Sequence, residues 1–232
     1  NNNNNNNNNN ATTSDGNSTT PPPPVHADMV STPYFLNAVK HLFSKEGPAR
    51  AFVLMRNPME RAMSMYEYQR ETMGLNVSLE DYAHGDGIEN NWMVRFLTNA
   101  MEGELKLDHV TQAKKILSKK FLVGFLDDIE ESIVRLMKYN GWEFEVGGKE
   151  EYQQECIAEK LRSHVGREHD LPKKGTQTHA YLSWQTQYDF KLYEFAKQLF
   201  EIQTKQYGSK ERKKEMKRKK KEMEKEKEKK SS

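Results

Sequence analysis

An arginine and a serine lie eight residues apart in the stretch AFVLMRNPMERAMSMYEYQR. Five apolar residues, Ala51–Met55, predict a short buried strand, and Arg56 follows at its carboxyl end. Asn57 and Pro58 suit the cap and the first position of a helix, whose N-terminus favours anions. The Arg56 guanidinium and the Ser64 hydroxyl, two turns into that helix, are donors that a phosphate accepts. We predict a phosphate site at this junction of strand and helix.

The same segment resembles the 3′-phosphate-binding segment of sulfotransferases, in which an apolar strand leads into R-N-P-x-x-R-A-x-S. These enzymes take a sulfuryl group from 3′-phosphoadenosine 5′-phosphosulfate (PAPS). The resemblance implies that Arg56 and Ser64 grip the 3′-phosphate of the nucleotide. The alternatives are an ion pair at the sheet edge for Arg56 and a small packing residue on the helix for Ser64.

Four downstream segments follow in the order that the family shows. They are an N-x-x-x-R-x-L-T element, a buried strand leading into a helix that ends in Gly-Trp, a Lys-Gly-Thr loop and a D-x-x-L-Y-x-x-A-x-x-L-F closing helix. The resemblance implies that Lys174, Gly175 and Thr176 close over the donor. It extends from about Val25 to Gln206 and implies a type II membrane glycoprotein of the Golgi lumen that sulfates a carbohydrate hydroxyl.

The segment that would hold the 5′-phosphosulfate is missing before Arg56. Family members carry a loop of the form P-K-x-G-[ST]-[ST] there, whereas this chain has ten asparagines, a Ser/Thr-rich stretch and Pro21–Pro24. We therefore expect a C-terminal portion, inactive alone, whose donor loop and membrane anchor lie upstream. The fold that the resemblance implies is a P-loop NTPase-like α/β sandwich of three layers with a parallel sheet, incomplete at its N-terminus.

Composition divides the chain into three parts. Residues 1–24 are of low complexity and predict disorder, residues 25–208 predict the sulfotransferase-like domain, and residues 209–232 form a Lys/Glu-rich tail. From Lys210 to Lys230, 13 basic residues outnumber 6 glutamates, a net charge of +7 against +2 for the whole chain.

The tail predicts a solvated helix or disorder. Its glutamates and its lack of interleaved aromatic residues argue against nucleic-acid binding, while a polyanionic glycan or an acidic membrane surface would be attracted by the same charges.

The catalytic base is less clearly marked than the phosphate site. His26 precedes the first strand, where some carbohydrate sulfotransferases carry a catalytic histidine, although an ordinary loop histidine is the commoner case. A single cysteine, Cys156, excludes an intrachain disulfide, and no Cys/His spacing in the sequence predicts a metal site. We expect a structural role for Arg95, paired with Asn91.

Several further expectations concern helix ends and buried aromatic residues. Asp108 is expected to cap a helix that runs to Lys119, and the closing helix is expected to begin at about Ser183. All three tryptophans, Trp92, Trp142 and Trp184, are expected to lie in the core.

These features together predict a PAPS-dependent sulfotransferase that uses no metal and transfers a sulfuryl group to a hydroxyl of a carbohydrate. The alternative is a non-catalytic α/β interaction protein derived from a sulfotransferase, in which the donor site has decayed and the lysine tail tethers a partner. A P-loop nucleotide kinase is a third interpretation, which the Lys-Gly-Thr loop and the closing helix fit less well.

Overall fold

The computed structural model describes residues 40, 50–85, 90–142, 159 and 170–231, with side chains up to residue 222. His26, Cys156 and the low-complexity segment 1–24 lie outside the described residues. The statements below concern the described part of the chain.

Two parallel strands form the sheet. β1, Ala51–Met55, pairs with β2, Phe121–Phe125, residue for residue along the whole length of both strands. All of β2 is buried, whereas Leu54 of β1 is 37% exposed. The described chain is thus mixed α/β, mostly helical with a small parallel sheet, which confirms the predicted class at this level.

Eight α-helices and one 3₁₀ turn make up the rest of the described structure. Before β2 they are α1 Pro58–Met73, α2 Leu79–His84, α3 Trp92–Thr98 and α4 Leu107–Lys120; after it come the 3₁₀ turn Leu126–Asp128, α5 Ile129–Asn140, α6 Gln177–Gln185, α7 Gln187–Tyr207 and α8 Lys210–Ser231. The predicted bounds of β1 and the predicted start of α1 at Asn57 and Pro58 are confirmed. Gly74, with a φ of 68° in the left-handed region, ends α1 as glycine commonly does.

Four expectations about local structure are wrong. The closing helix is two helices with a break at Thr186, whose hydroxyl donates back to the Leu182 carbonyl. Asp108 lies inside the first turn of α4 rather than at its cap. Trp142 and Trp184 are 46% and 63% exposed. Trp184 points outward because, two residues after the buried Leu182, it lies on the opposite side of α6.

Two apolar clusters hold the elements together. The larger one joins the sheet to α3, α4 and α7, with the fully buried Leu117, Val123 and Leu192 among its members. The smaller one joins α1, α2 and α6 through Met63, Tyr82 and others. The helix that carries the predicted phosphate site is therefore packed against α6, and the strand before it belongs to the main core.

The outer edge of β2 is closed by side chains. Gln203 of α7 donates to the Phe121 carbonyl at 2.9 Å and accepts from the Val123 N–H at 3.0 Å. Ser132 of α5 accepts from the Phe125 N–H at 2.8 Å and donates to its carbonyl. These bonds replace a neighbouring strand, since buried backbone groups need partners. Within the described residues β1 pairs with β2 alone, so further strands could join this sheet only beside β1.

None of the helices in the described ranges combines the length and the apolarity needed to cross a membrane.

Candidate functional site

Arg56 lies where β1 ends and α1 begins. Asn57 caps α1 as predicted, its Oδ1 accepting the Met59 N–H at 2.9 Å, and Pro58 occupies the first turn. Arg56 Nε donates to Glu60 Oε2 at 3.4 Å, and the two side chains are 13% and 31% exposed. Within the described residues, the guanidinium therefore stays at the strand end, in one long ion pair with its own helix.

Ser64 extends this arrangement along α1. Glu60 and Ser64 are four residues apart, so they lie on the same face of the helix, one turn from each other. The Ser64 side chain is half-buried, and within the described part of the chain no hydrogen bond to its hydroxyl is seen. Arg56, Glu60 and Ser64 thus follow one line from the strand end along the helix.

The register of the sheet brings the end of β2 to the same place. Met55 pairs with Phe125, so Arg56 and Leu126 leave the sheet at one edge. Asp127 follows directly, and its Oδ2 accepts the Tyr193 hydroxyl at 3.3 Å. The carboxyl edge of a parallel sheet is where α/β proteins usually bind their ligands.

The electrostatics at this edge are mixed. Burial, then the neighbouring Asp127 and more weakly Glu60, raise the pKa of Tyr193, so its hydroxyl stays protonated. We call these groups the edge cluster and define it as Arg56, Glu60, Asp127 and Tyr193, one guanidinium and two carboxylates beside a phenol. A phosphate entering here would compete with Glu60 for the Arg56 guanidinium, and the positive end of α1 favours the phosphate.

The Lys-Gly-Thr loop forms the turn before α6. Gly175 has a φ of 90°, which suits glycine. The Thr176 hydroxyl caps α6, accepting the His179 N–H at 3.3 Å and donating to the Lys173 carbonyl at 2.8 Å. Lys174 is exposed.

Among the described residues no hydrogen bond or ion pair joins this loop to Arg56 or Ser64. The connection is through packing, because Leu182 of α6 shares the smaller apolar cluster with Met59 and Met63 of α1. The structure therefore sets the loop and the phosphate segment on neighbouring helices without bringing their polar groups together.

Two of the segments that resemble the family lock onto each other. Asp189 at the start of α7 accepts the Met93 and Val94 N–H groups at 3.1 and 2.9 Å, which caps α3. Asn91 at the start of α3 accepts the Tyr188 and Asp189 N–H groups at 2.7 and 3.2 Å, which caps α7. Asp189 is 1% exposed, and burial raises its pKa to about 6. The two motifs thus have a structural role as reciprocal helix caps.

Arg95 is structural, as predicted, but with different partners. Its Nε donates to the Asn90 carbonyl at 2.8 Å and its Nη1 to the Ala100 carbonyl at 2.9 Å. These bonds tie together the two ends of α3, and the expected partner Asn91 is used instead to cap α7.

Three members of the edge cluster were missed from the sequence. Glu60 could have been found because it stands four residues after Arg56 at the start of a helix. Asp127 could have been found because it follows the second buried strand just as Arg56 and Asn57 follow the first. Tyr193 gave no such signal, since its approach to Asp127 depends on how α7 packs across the sheet.

No group of three or more His, Cys, Asp or Glu side chains is placed to hold a metal ion in the part of the chain that the structure describes. Comparison of the chain with protein-family models, with curated proteins and with solved structures found no match.

Proposed function

We propose that this chain is the C-terminal portion of a PAPS-dependent sulfotransferase that acts on a carbohydrate hydroxyl, and that Arg56 and Ser64 hold the 3′-phosphate of the nucleotide. The observation that carries the proposal is the line from the end of β1 along α1. It combines a guanidinium, a capped helix N-terminus and a hydroxyl without an internal partner in the described structure. These are three kinds of donor that phosphate sites use together.

The rest of the donor site follows from the same proposal. Lys174 and the backbone of Gly175 cover the nucleotide, while the Thr176 hydroxyl contributes less because it caps α6. The strand and loop for the 5′-phosphosulfate join beside β1 and complete a P-loop NTPase-like sandwich. The full-length protein is a type II membrane protein of the Golgi lumen, and His26 takes the proton of the acceptor hydroxyl.

Calorimetry with adenosine 3′,5′-bisphosphate tests the proposal. We expect Arg56→Ala to weaken binding by about 1.5–3 kcal/mol, the usual contribution of a charged hydrogen bond. Arg70→Ala is the matched control, because Arg70 is an exposed arginine in the last turn of the same helix. Equal binding by wild type and the Arg56 variant would remove Arg56 from the site.

Glu60→Gln provides an opposite change in the same assay. The amide removes the charge that competes with phosphate for Arg56, so we expect tighter binding, by about 0.5–1 kcal/mol for a pair of this exposure. Weaker binding would mean that Glu60 is needed to position the guanidinium or that the phosphate binds elsewhere.

A non-catalytic interaction protein derived from a sulfotransferase is the second candidate. It is favoured by the Arg56–Glu60 ion pair and by the excess of carboxylates in the edge cluster, since both disfavour an anion. Under this alternative the wild-type chain binds no nucleotide, and Glu60→Gln does not create binding. The calorimetry above separates the two functions.

A further inference from the structure

The positive charge of α8 is concentrated in its first half. Residues 210–221 contain nine lysines and arginines and two glutamates, whereas residues 222–230 contain four lysines and four glutamates. The net charge of +7 therefore lies within twelve residues, about 18 Å of helix. The second half is neutral.

Four lysines in this half form one line on the helix surface. Lys210, Lys214, Lys217 and Lys221 are separated by four, three and four residues, which places them within about 60° of one another around the axis and over about 16 Å along it. All four are exposed, and in the described part of the chain none forms an ion pair. We call this line the lysine stripe.

The opposite side of α8 is fixed to the body of the protein. Arg212 lies about half a turn away from the lysine stripe and reaches Glu201 at 2.7 Å and Asp128 at 3.6 Å. Ser209 caps the helix, its Oγ accepting the Arg212 N–H at 3.0 Å, and its own N–H donates to the buried Glu131. The first half of α8 is therefore held in one orientation, with the lysine stripe facing outward.

The chemistry of α8 restricts what the lysine stripe can bind. Met216 and Met223 are the only sizeable apolar side chains between residues 210 and 231, so the helix has no apolar face to insert into a bilayer. The same range contains no aromatic side chain on which a base could stack. A row of amines at regular intervals complements a linear chain that carries anionic groups along its length.

We propose that the lysine stripe docks an acidic polysaccharide, and that this polysaccharide is the acceptor or the product of the sulfotransferase. The second assignment rests on the proposed function. The contact between Arg212 and Asp128 sets the start of α8 near the end of β2 and the edge cluster. The lysine stripe thus begins at the end of α8 that Arg212 holds against the body of the protein, on the opposite side of the helix.

The test measures binding of a heparin octasaccharide at about 0.1 M salt. The variant replaces all four stripe lysines by glutamine, and the control replaces Lys225, Lys227, Lys229 and Lys230, which removes the same charge from the neutral half. Both sets keep good helix formers, and circular dichroism verifies that the helix remains. We expect at least a tenfold loss of affinity for the stripe variant and less than a threefold loss for the control.

The proposal would be overturned if the stripe variant bound the octasaccharide with unchanged affinity, or if both variants lost affinity equally. It would also be overturned if the wild type bound duplex RNA, or vesicles with anionic lipid, more tightly than the octasaccharide. Binding of adenosine 3′,5′-bisphosphate to the same proteins separates this proposal from the proposed function. Octasaccharide binding that depends on the stripe, without nucleotide binding, would support the docking surface and reject the sulfotransferase.

Discussion

The buried Asp189 predicts a defined pH dependence of stability. Its carboxylate is 1% exposed and caps α3 through the Met93 and Val94 N–H groups. Burial raises its pKa from 3.8 to about 6, and the backbone hydrogen bonds oppose that rise. Because the folded pKa is above the unfolded one, the folded state binds the proton more tightly. This contribution to stability is complete below pH 3.8 and is lost as the pH rises through 6.

The magnitude follows from the shift. Two pKa units correspond to about 3 kcal/mol, and between pH 4.5 and pH 7.5 about 2 kcal/mol of this is lost. Asp189→Asn cannot titrate, so the difference in unfolding free energy between wild type and variant should move by about 2 kcal/mol over this range. The variant also has a constant cost of about 1–3 kcal/mol, because its amide group faces one of the two N–H donors.

Urea unfolding at several pH values from 4.5 to 7.5 measures this difference. The exposed Asp108 on α4 provides the control, as Asp108→Asn removes an equal charge without a buried partner. The wild type should lose stability relative to Asp189→Asn as the pH rises. A difference that is independent of pH, or one of opposite sign, would refute the burial argument for Asp189.

Two further predictions concern groups that hold the sheet and the helices. Gln203→Leu should lower the unfolding free energy by about 1–3 kcal/mol and speed hydrogen exchange at the Val123 amide, because two backbone groups of β2 lose their partners. The control is Gln206→Leu, since Gln206 is exposed. Equal exchange rates at Val123 in the two variants would refute the role of Gln203 in closing the edge of β2. Arg135→Met should lower the free energy of unfolding by about 3–5 kcal/mol, because the fully buried guanidinium is bound by Glu131 at 2.8 Å and its removal leaves that carboxylate uncompensated. A loss below about 1 kcal/mol in thermal or urea unfolding would show that the pair is not buried in solution.

The elements that were predicted correctly are those whose signals are local. Ala51–Met55 is a run of apolar residues, and Asn57 and Pro58 mark a helix start. The buried strand at Phe121–Phe125 has the same kind of signal. In these segments the neighbouring residues alone decide the conformation.

The break in the closing helix and the orientation of α8 come from tertiary contacts that no local pattern encodes. The closing helix breaks at Thr186 because Asn91, far away in the sequence, caps a new helix there. The orientation of α8 depends on Arg212 reaching Glu201 and the end of β2, which the alternating charges of the tail do not reveal.

The most direct test of the central claim compares two nucleotides with two proteins. Adenosine 3′,5′-bisphosphate and adenosine 5′-monophosphate differ in the 3′-phosphate that Arg56 is proposed to hold. The wild type should prefer the bisphosphate by about tenfold or more, and Arg56→Ala should bind both nucleotides almost equally. A preference that survives intact in Arg56→Ala, or a wild type that does not distinguish the two nucleotides, would contradict the account.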